Sequence, residues 1–362
     1  MRKNIYNIHL YSALVTGLIL IVIAVTGCLL VLELRMDHWL DPKVSYVEPK
    51  GNPVPFTKIM EHVNAAYPGQ KVTEINIGEP GISVMARLSG RRVFVDPYTG
   101  KITGSRTGEP PSFHLRHVHR ELSAGKVGAT IVNITTFLLL LQSLSGLYLW
   151  WPLKRTTVKL NASSRKITLD LHHAAGFFSS AFICILAVTG LLKGYGDFLQ
   201  PYFDTATGSP RMTRDLISKP RASAIGIDDA VATAQIQLPG ARLARIIPPK
   251  TRNGSWVIEL KFPGDSTVPG RSWVVVDQYS GAVLSRLDSR TAPTGSKIPI
   301  VNREIHVGGL YGTPTRILAF LAGLAVLIQT VTGYMMWWRK RAAARHRSTV
   351  RRSTRLLLPD LL

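Results

Sequence analysis

Cysteine is scarce in this 362-residue sequence, and its placement excludes two kinds of protein. Cys28 and Cys184 are the only two, and each lies inside a long apolar run, where a thiol usually acts as a small apolar filler. The polar segments between these runs contain none, so a disulfide-stapled domain is excluded. A Cys-x-x-Cys-His motif is also missing, so any haem would be held without covalent attachment.

Acidic residues are also few: 22 Asp and Glu face 44 Lys and Arg, which gives a formal net charge of +22. Nucleic-acid binding would explain such a charge, but the distribution of the basic residues argues against it. They cluster near the N-terminus, in the short segment 154–167 and after residue 338. Clusters of this kind mark the cytoplasmic side of membrane proteins, beside anionic headgroups. We therefore expect membrane lipids, and no nucleic acid, as partners.

Charge is missing from the centres of four apolar stretches, residues 8–34, 128–153, 171–192 and 315–338. Each is long enough to cross a bilayer, which takes about 20 residues of helix. The first stretch is too long for a signal peptide, and no small-residue cleavage site follows it, so we expect it to stay in the membrane.

The basic clusters predict a topology with both termini in the cytoplasm and two large domains outside it. Its segments are transmembrane helix 1 (1–34), external module 1 (35–112), transmembrane helix 2 with an external histidine segment (113–153), a cytoplasmic loop (154–167), transmembrane helix 3 (168–192), external module 2 (193–300), transmembrane helix 4 with its histidine segment (301–338) and a basic cytoplasmic tail (339–362).

The apolar segments are internally duplicated. An offset of 163 positions aligns Ala24-Val-Thr-Gly27 with Ala187-Val-Thr-Gly190, and His9 with His172, without a gap. An offset of 187 aligns Gln142-Ser-Leu-Ser-Gly146 with Gln329-Thr-Val-Thr-Gly333, and His119 with His306. Repeats of this kind indicate one structural unit used twice.

The two external segments match as well. Residues 93–100 and 274–281 are each a β-branched run that ends in a turn with Asp and Gly, which predicts two strands joined by a hairpin. Residues 56–67 and 227–238 are helical stretches that each end at a Pro-Gly. We therefore expect an integral membrane α-helical protein with four transmembrane helices and two external α+β modules, related by a pseudo-twofold axis along the bilayer normal.

The duplication selects four histidines out of ten. His9 and His172 lie at the cytoplasmic starts of helices 1 and 3, whereas His119 and His306 lie just before helices 2 and 4, on the external side. A neutral imidazole is a good axial ligand for haem iron, and facing helices of a bundle present such ligands. We therefore expect two b-type haems, one near each membrane face. The alternative is that each histidine is an interfacial residue hydrogen-bonded to headgroups or to a neighbour.

Other polar residues carry weaker predictions. His173 aligns with Leu10, so His172 is the better ligand, and His114 and His117 have no histidine counterpart in the second copy. We expect His114 and His117 to be solvated, with contacts to a haem propionate or to iron as the alternative. Gln142 and Gln329 are expected to make interhelical hydrogen bonds, with a cofactor contact as the alternative.

Helix-entry motifs and hairpin motifs together resemble a known family, bacterial inner-membrane proteins with PepSY modules and PepSY-associated transmembrane helices. The resemblance covers nearly the whole chain. The motifs that carry it are His119-Arg-Glu-Leu122-Ser-Ala-Gly125, Leu171-His172-His-Ala-Ala-Gly176, Ile305-His306-Val-Gly308, Asp96-Pro-Tyr-Thr-Gly100 and Asp277-Gln-Tyr-Ser-Gly281.

Members of this family include the FoxB-type periplasmic ferric-siderophore reductases, which are dihaem proteins. The resemblance implies that His9, His119, His172 and His306 are axial ligands of haem iron. It also implies electron transfer, from quinol or a cytoplasmic reductant, to a ferric siderophore in the periplasm, with release of Fe²⁺ for iron uptake. No side chain need act as an acid or base, so no catalytic residue is expected beyond the ligands. His173 departs from the family, where relatives often carry Arg.

Two other functions remain open. The first is a haem-free regulatory or binding membrane protein, whose external modules bind a peptide or a protease. The second is a transporter for a siderophore or a metal, although four helices with few intramembrane charges make a poor permeation path.

Overall fold

The computed structural model describes residues 1–32, 39, 41–265 and 270–357, with side chains described up to Arg345. These residues form two compact units. The helical unit comprises Met1–Val31, Arg116–Gly194 and Thr313–Leu362, and the sheet unit comprises Leu32–Leu115 and Tyr195–Gly312.

The helical unit is built from four long helices. They are α1 (Arg2–Val31), α5 (Gly125–Trp150), α6 (Ser164–Gly194) and α10 (Thr313–Leu357). Among the described residues these four are long and apolar enough to cross a membrane, which confirms the prediction of four such helices. The last helix continues beyond residue 338, where the sequence predicted a basic tail, because that segment is rich in Ala, Arg and Lys, which favour helix.

The four helices pack in a ring. Helix α1 packs against α5 and α10, and α6 packs against the same two helices, so α1 and α6 lie on opposite sides of the ring. The interior of the ring contains a cluster of buried apolar side chains, which includes Leu20, Ala24, Ile183 and Val326. Tyr334 on α10 also donates a hydrogen bond to the carbonyl of Leu14 on α1, 2.7 Å away.

The sheet unit contains one antiparallel sheet of eight strands, counted over the described residues. Its order is β4-β3-β2-β1-β5-β6-β7-β8. From the centre outward, the strands of each copy of the repeat therefore follow in chain order. The strands are β1 (Glu74–Asn76), β2 (Val84–Leu88), β3 (Arg91–Val95), β4 (Ile102–Thr107), β5 (Arg242–Ile247), β6 (Ser255–Lys261), β7 (Ser272–Asp277) and β8 (Val283–Leu287). The predicted hairpins are confirmed as β3–β4 and β7–β8.

The two halves of the sheet join at the pairing of β1 with β5, where Ile75 lies opposite Ile246. These residues are counterparts, because both follow a Pro-Gly by the same number of positions, Pro68-Gly69 and Pro239-Gly240. Both isoleucines are 0% exposed. A residue that pairs with its own counterpart marks a local pseudo-twofold axis, so the two predicted modules share one sheet.

One face of the sheet is covered by α3 (Phe56–Ala66) and α8 (Ile227–Gln237), which pack on a common apolar core. The carboxylate of Asp228 accepts hydrogen bonds from the backbone N–H groups of Phe56 and Thr57, at 2.8 and 3.0 Å. First-turn N–H groups lack partners within their own helix, so the helix of one half caps the helix of the other.

The other described helices are shorter and connect these parts. They are α2 (Pro42–Ser45), α4 (Pro111–Glu121), α7 (Gly196–Ala206) and α9 (Thr294–His306). Helices α7 and α9 pack against each other within the sheet unit. Strand β7 is buried along its whole length, because Trp273 and Val275 pack with Leu287 and Ala292 on the face away from α8.

Candidate functional site

The four repeated histidines lie on four different helices. His9 is on α1 and His172 is on α6, both in the helical unit. His119 is in the last turn of α4 and belongs to the same unit. His306 is the final residue of α9 and belongs to the sheet unit. The pairing of His119 with His306 therefore stays a prediction.

His9 and His172 make the same contact in the two copies of the repeat. Nδ1 of His9 lies 2.9 Å from Oγ of Ser145, and Nδ1 of His172 lies 2.8 Å from Oγ1 of Thr332. Ser145 and Thr332 are 187 positions apart, so the hydroxyl groups are counterparts, as the histidines are. The duplication thus extends to the atoms that hold each ring.

The hydroxyl groups determine which ring nitrogen carries the proton. Ser145 donates its hydroxyl proton to the carbonyl of Gln142, and Thr332 donates to the carbonyl of Ile328. Each hydroxyl oxygen therefore accepts from the histidine, so Nδ1 carries hydrogen. In a neutral imidazole this leaves the lone pair on Nε2, the atom that ligates a metal.

His119 has the same tautomer for a different reason. Its Nδ1 lies 2.9 Å from the carbonyl oxygen of Ile23 on α1, and a carbonyl oxygen can only accept. Oγ1 of Thr26 lies 3.2 Å from the same nitrogen and donates its own proton to the carbonyl of Val22. The Nε2 atom of His119 is again the basic nitrogen.

Repeated glycines lie against the imidazole rings. A Cβ added at Gly146 would lie 3.2 Å from Cε1 of His9, and one at Gly333 would lie 3.7 Å from Cε1 of His172. A Cβ at Gly27 would lie 3.0 Å from Cε1 of His119. These glycines therefore leave room for the rings at the helix surface.

The two repeated glutamines bridge helices, as the sequence predicted. Gln142 donates from Nε2 to Oγ1 of Thr16 on α1, at 3.0 Å. Gln329 donates from Nε2 to the carbonyl of His172 on α6, at 2.7 Å. The second bond fixes the backbone of a candidate ligand directly.

His9 and His172 are presented by α1 and α6, which lie on opposite sides of the ring of helices. In the described part of the chain, neither Nε2 atom makes a hydrogen bond to protein. The prediction that His9 and His172 together bind one haem stays a prediction.

The other histidines are arranged differently. Nδ1 of His173 is buried and has no hydrogen-bond partner within the described residues. Nδ1 of His117 is hydrogen-bonded to the carboxylate of Glu121 on its own helix, and His114 is exposed with its ring edge-on to Phe113. The prediction that His114 and His117 are both solvated agrees with the exposure of His114, whereas His117 is only half-exposed and paired.

The sequence interpretation missed the roles of Ser145 and Thr332. A signal was present, because both lie in the repeated Gln-x-x-Ser/Thr-Gly motif, at the same place relative to the glutamine. Their role depends on the packing of α1 beside α5 and of α6 beside α10, which the sequence alone does not give.

The chain matches one family of known proteins. The family model of the PepSY-associated TM region matches residues 6–340, a range that includes all four repeated histidines. Among curated proteins, no match is found.

Proposed function

Because the chain belongs to the PepSY-associated TM family, we propose that it is a reductase of the bacterial inner membrane that carries two non-covalent b-type haems. In this proposal it reduces ferric siderophores on the periplasmic side and releases Fe²⁺ for iron uptake. Electrons come from quinol or from a cytoplasmic reductant.

The observation that supports the haems most strongly is the repeated hydrogen bond to Nδ1. Ser145 and Thr332 accept from His9 and His172, and the Ile23 carbonyl accepts from His119. A histidine that ligates a metal almost always donates its other N–H to such a partner, which fixes its tautomer and orientation. A histidine that only faces headgroups has no need of the same arrangement in both copies.

His9 and His172 would hold one haem, and His119 and His306 the other. When bound, haem supplies a one-electron iron couple, and two imidazole ligands leave no open position, which favours electron transfer over oxygen chemistry. The protein orients the imidazoles of His9, His172 and His119 through the hydrogen bonds at their Nδ1 atoms. No side chain transfers a proton to the substrate.

Reduction suffices to release iron. Hydroxamate and catecholate oxygens are hard ligands that hold Fe³⁺ far better than Fe²⁺, so no bond of the siderophore has to be cleaved. The external modules would remain on the periplasmic side, where ferric siderophores arrive.

Stopped-flow spectroscopy tests this function. The purified protein is reduced with dithionite, excess reductant is removed under anaerobic conditions, and ferric siderophores are mixed in one at a time. We expect haem reoxidation together with trapping of Fe²⁺ by ferrozine. The matched control is the same siderophore loaded with Ga³⁺, which binds similarly but cannot be reduced under these conditions.

Two outcomes would contradict the proposal. A purified protein without a Soret band after haem-replete expression would favour the haem-free binding protein. Haem that is reoxidised equally by the Fe³⁺ and Ga³⁺ complexes would show that the siderophore iron is not the acceptor.

A further inference from the structure

A cavity of about 530 Å³ lies in the helical unit at the link between α5 and α6. This volume falls in the range of sites that bind small molecules, about 300–1,000 Å³. The residues that line it are Arg155, Thr157, Lys159, Ser163, Arg165, Lys166, Leu169 and Asp170. None of them belongs to the candidate haem sites.

The link is anchored at both ends. At its start, the indole N–H of Trp150 donates to the carbonyl of Arg155 at 2.8 Å, and the Trp150 ring stacks on Phe177 with 4.1 Å between ring centroids. At its end, the guanidinium of Arg339 donates to the hydroxyl groups of Ser164 and Thr168, both at 3.0 Å. These contacts attach both ends of the link to neighbouring helices.

The charges that line the cavity are unbalanced. Asp170 is its single carboxylate, and it is already paired with Lys166, whose Nζ lies 3.0 Å from Oδ2. Arg155, Lys159 and Arg165 also line the cavity, and in the described part of the chain none of them forms an ion pair with a carboxylate. Four cationic side chains and one carboxylate therefore line the cavity, which leaves it with an excess of positive charge.

Arg155, Lys159 and Arg165 are exposed, as basic residues beside a membrane commonly are. Here they share one cavity that also lies at the N-terminus of α6, where the helix dipole favours an anion. Guanidinium groups bind phosphate oxygens in pairs, and an ammonium group adds a point charge.

We propose that this cavity binds a phosphate group. An anionic phospholipid headgroup and a soluble phosphate compound offer the same chemistry, and basic pockets between transmembrane helices are known to take lipid headgroups. The site does not involve haem, so its test is independent of the test of the proposed reductase activity.

The test uses the full chain in neutral detergent and a double variant, Arg155→Gln with Arg165→Gln. The matched control is Lys154→Gln with Lys340→Gln, which removes the same charge outside the lining. Lys154 lies over the ring of Trp151 and Lys340 over that of Tyr6, 4.8 and 5.3 Å from the ring centroids. Native mass spectrometry measures titrations with phosphatidylglycerol and with phosphatidylcholine, and calorimetry measures binding of pyrophosphate.

We expect the cavity variant to bind its preferred anion at least about tenfold more weakly than wild type, with the control within about twofold. Loss confined to phosphatidylglycerol identifies a lipid site, and loss confined to pyrophosphate identifies a soluble ligand. Equal weakening in both double variants would overturn the proposal, because it would show general attraction to a basic surface. Absence of binding to either anion would overturn it as well.

Discussion

At the scale of single residues, three imidazoles are held by the same means. Each has Nδ1 bonded to an acceptor on a neighbouring helix, and each has a glycine beside Cε1. The sequence identified these histidines because two independent offsets align them. It could not identify the acceptors, because a helix that is apolar on all sides gives no indication of which side faces its neighbour.

Ser145→Ala removes the acceptor of the His9 Nδ1–H group. Loss of such a partner typically weakens metal binding about 10- to 100-fold, so we expect weaker haem retention at this site. The rate of haem transfer to apomyoglobin measures it. Ser143→Ala is the control, because Ser143 lies in the same motif, two residues before Ser145. Its hydroxyl group donates to the carbonyl of Ser180 and not to a histidine. Equal haem transfer rates in the two variants would contradict the role of Ser145.

The repeated glycines predict different outcomes for the same substitution. A Cβ at Gly146 meets His9 at 3.2 Å and has to displace the ring, whereas one at Gly333 meets His172 at an ordinary 3.7 Å. Alanine stabilises a helix interior by roughly 0.5–1 kcal/mol relative to glycine. We expect Gly333→Ala to raise or keep the melting temperature, and Gly146→Ala to lower it. A melting temperature that is higher for Gly146→Ala than for Gly333→Ala would show that the glycines do not confine the rings in this way.

At the scale of elements, local sequence patterns predicted the helices and hairpins, but they did not predict the pairing of β1 with β5 that joins the halves of the sheet. The pairing of Ile75 with Ile246 links strands far apart in sequence, and an edge strand can pair with many partners. Helix α7, which contains Pro201, was also not predicted, because residues 193–300 were interpreted as one module. The duplication is consistent with this pairing, because the two paired isoleucines occupy equivalent positions in the two copies.

Asp228 tests the join between the two halves. Its carboxylate caps the first turn of α3 from the other half, so Asp228→Ala removes a cap that is typically worth about 1 kcal/mol. We expect a lower midpoint of urea unfolding, followed by the fluorescence of Trp273 and Trp256. Glu61→Ala, at an exposed position in the middle of α3, should leave the midpoint nearly unchanged. A midpoint shift of the same size in both variants would argue against the cap.

At the scale of the whole molecule, the duplication and the charge distribution predict how the chain crosses the membrane. Four apolar helices and a family of membrane proteins support insertion. The basic link 154–167 is expected in the cytoplasm and the sheet unit in the periplasm. The charge pattern predicts sidedness because anionic headgroups and the insertion machinery act on short basic loops, whatever the fold.

Cysteine labelling tests this orientation. Thr251→Cys in the sheet unit and Asn161→Cys in the link are both exposed positions, and each is placed in a background that lacks the two native cysteines. With the outer membrane permeabilised, an impermeant maleimide should label Thr251→Cys at once. Asn161→Cys should be labelled only after lysis. Labelling of both in intact cells, or the reverse order, would refute the topology.

Electron transfer across the membrane requires that paired histidines ligate two haems. The most direct measurement is the haem-to-protein ratio, by pyridine haemochrome, in wild type, His172→Ala and His119→Ala, combined with electron paramagnetic resonance of the ferric state. We expect two b-type haems per chain in wild type, low-spin signals of bis-histidine ligation, and one remaining haem in each variant. A wild type without haem, or variants that keep both haems with unchanged spectra, would contradict this prediction.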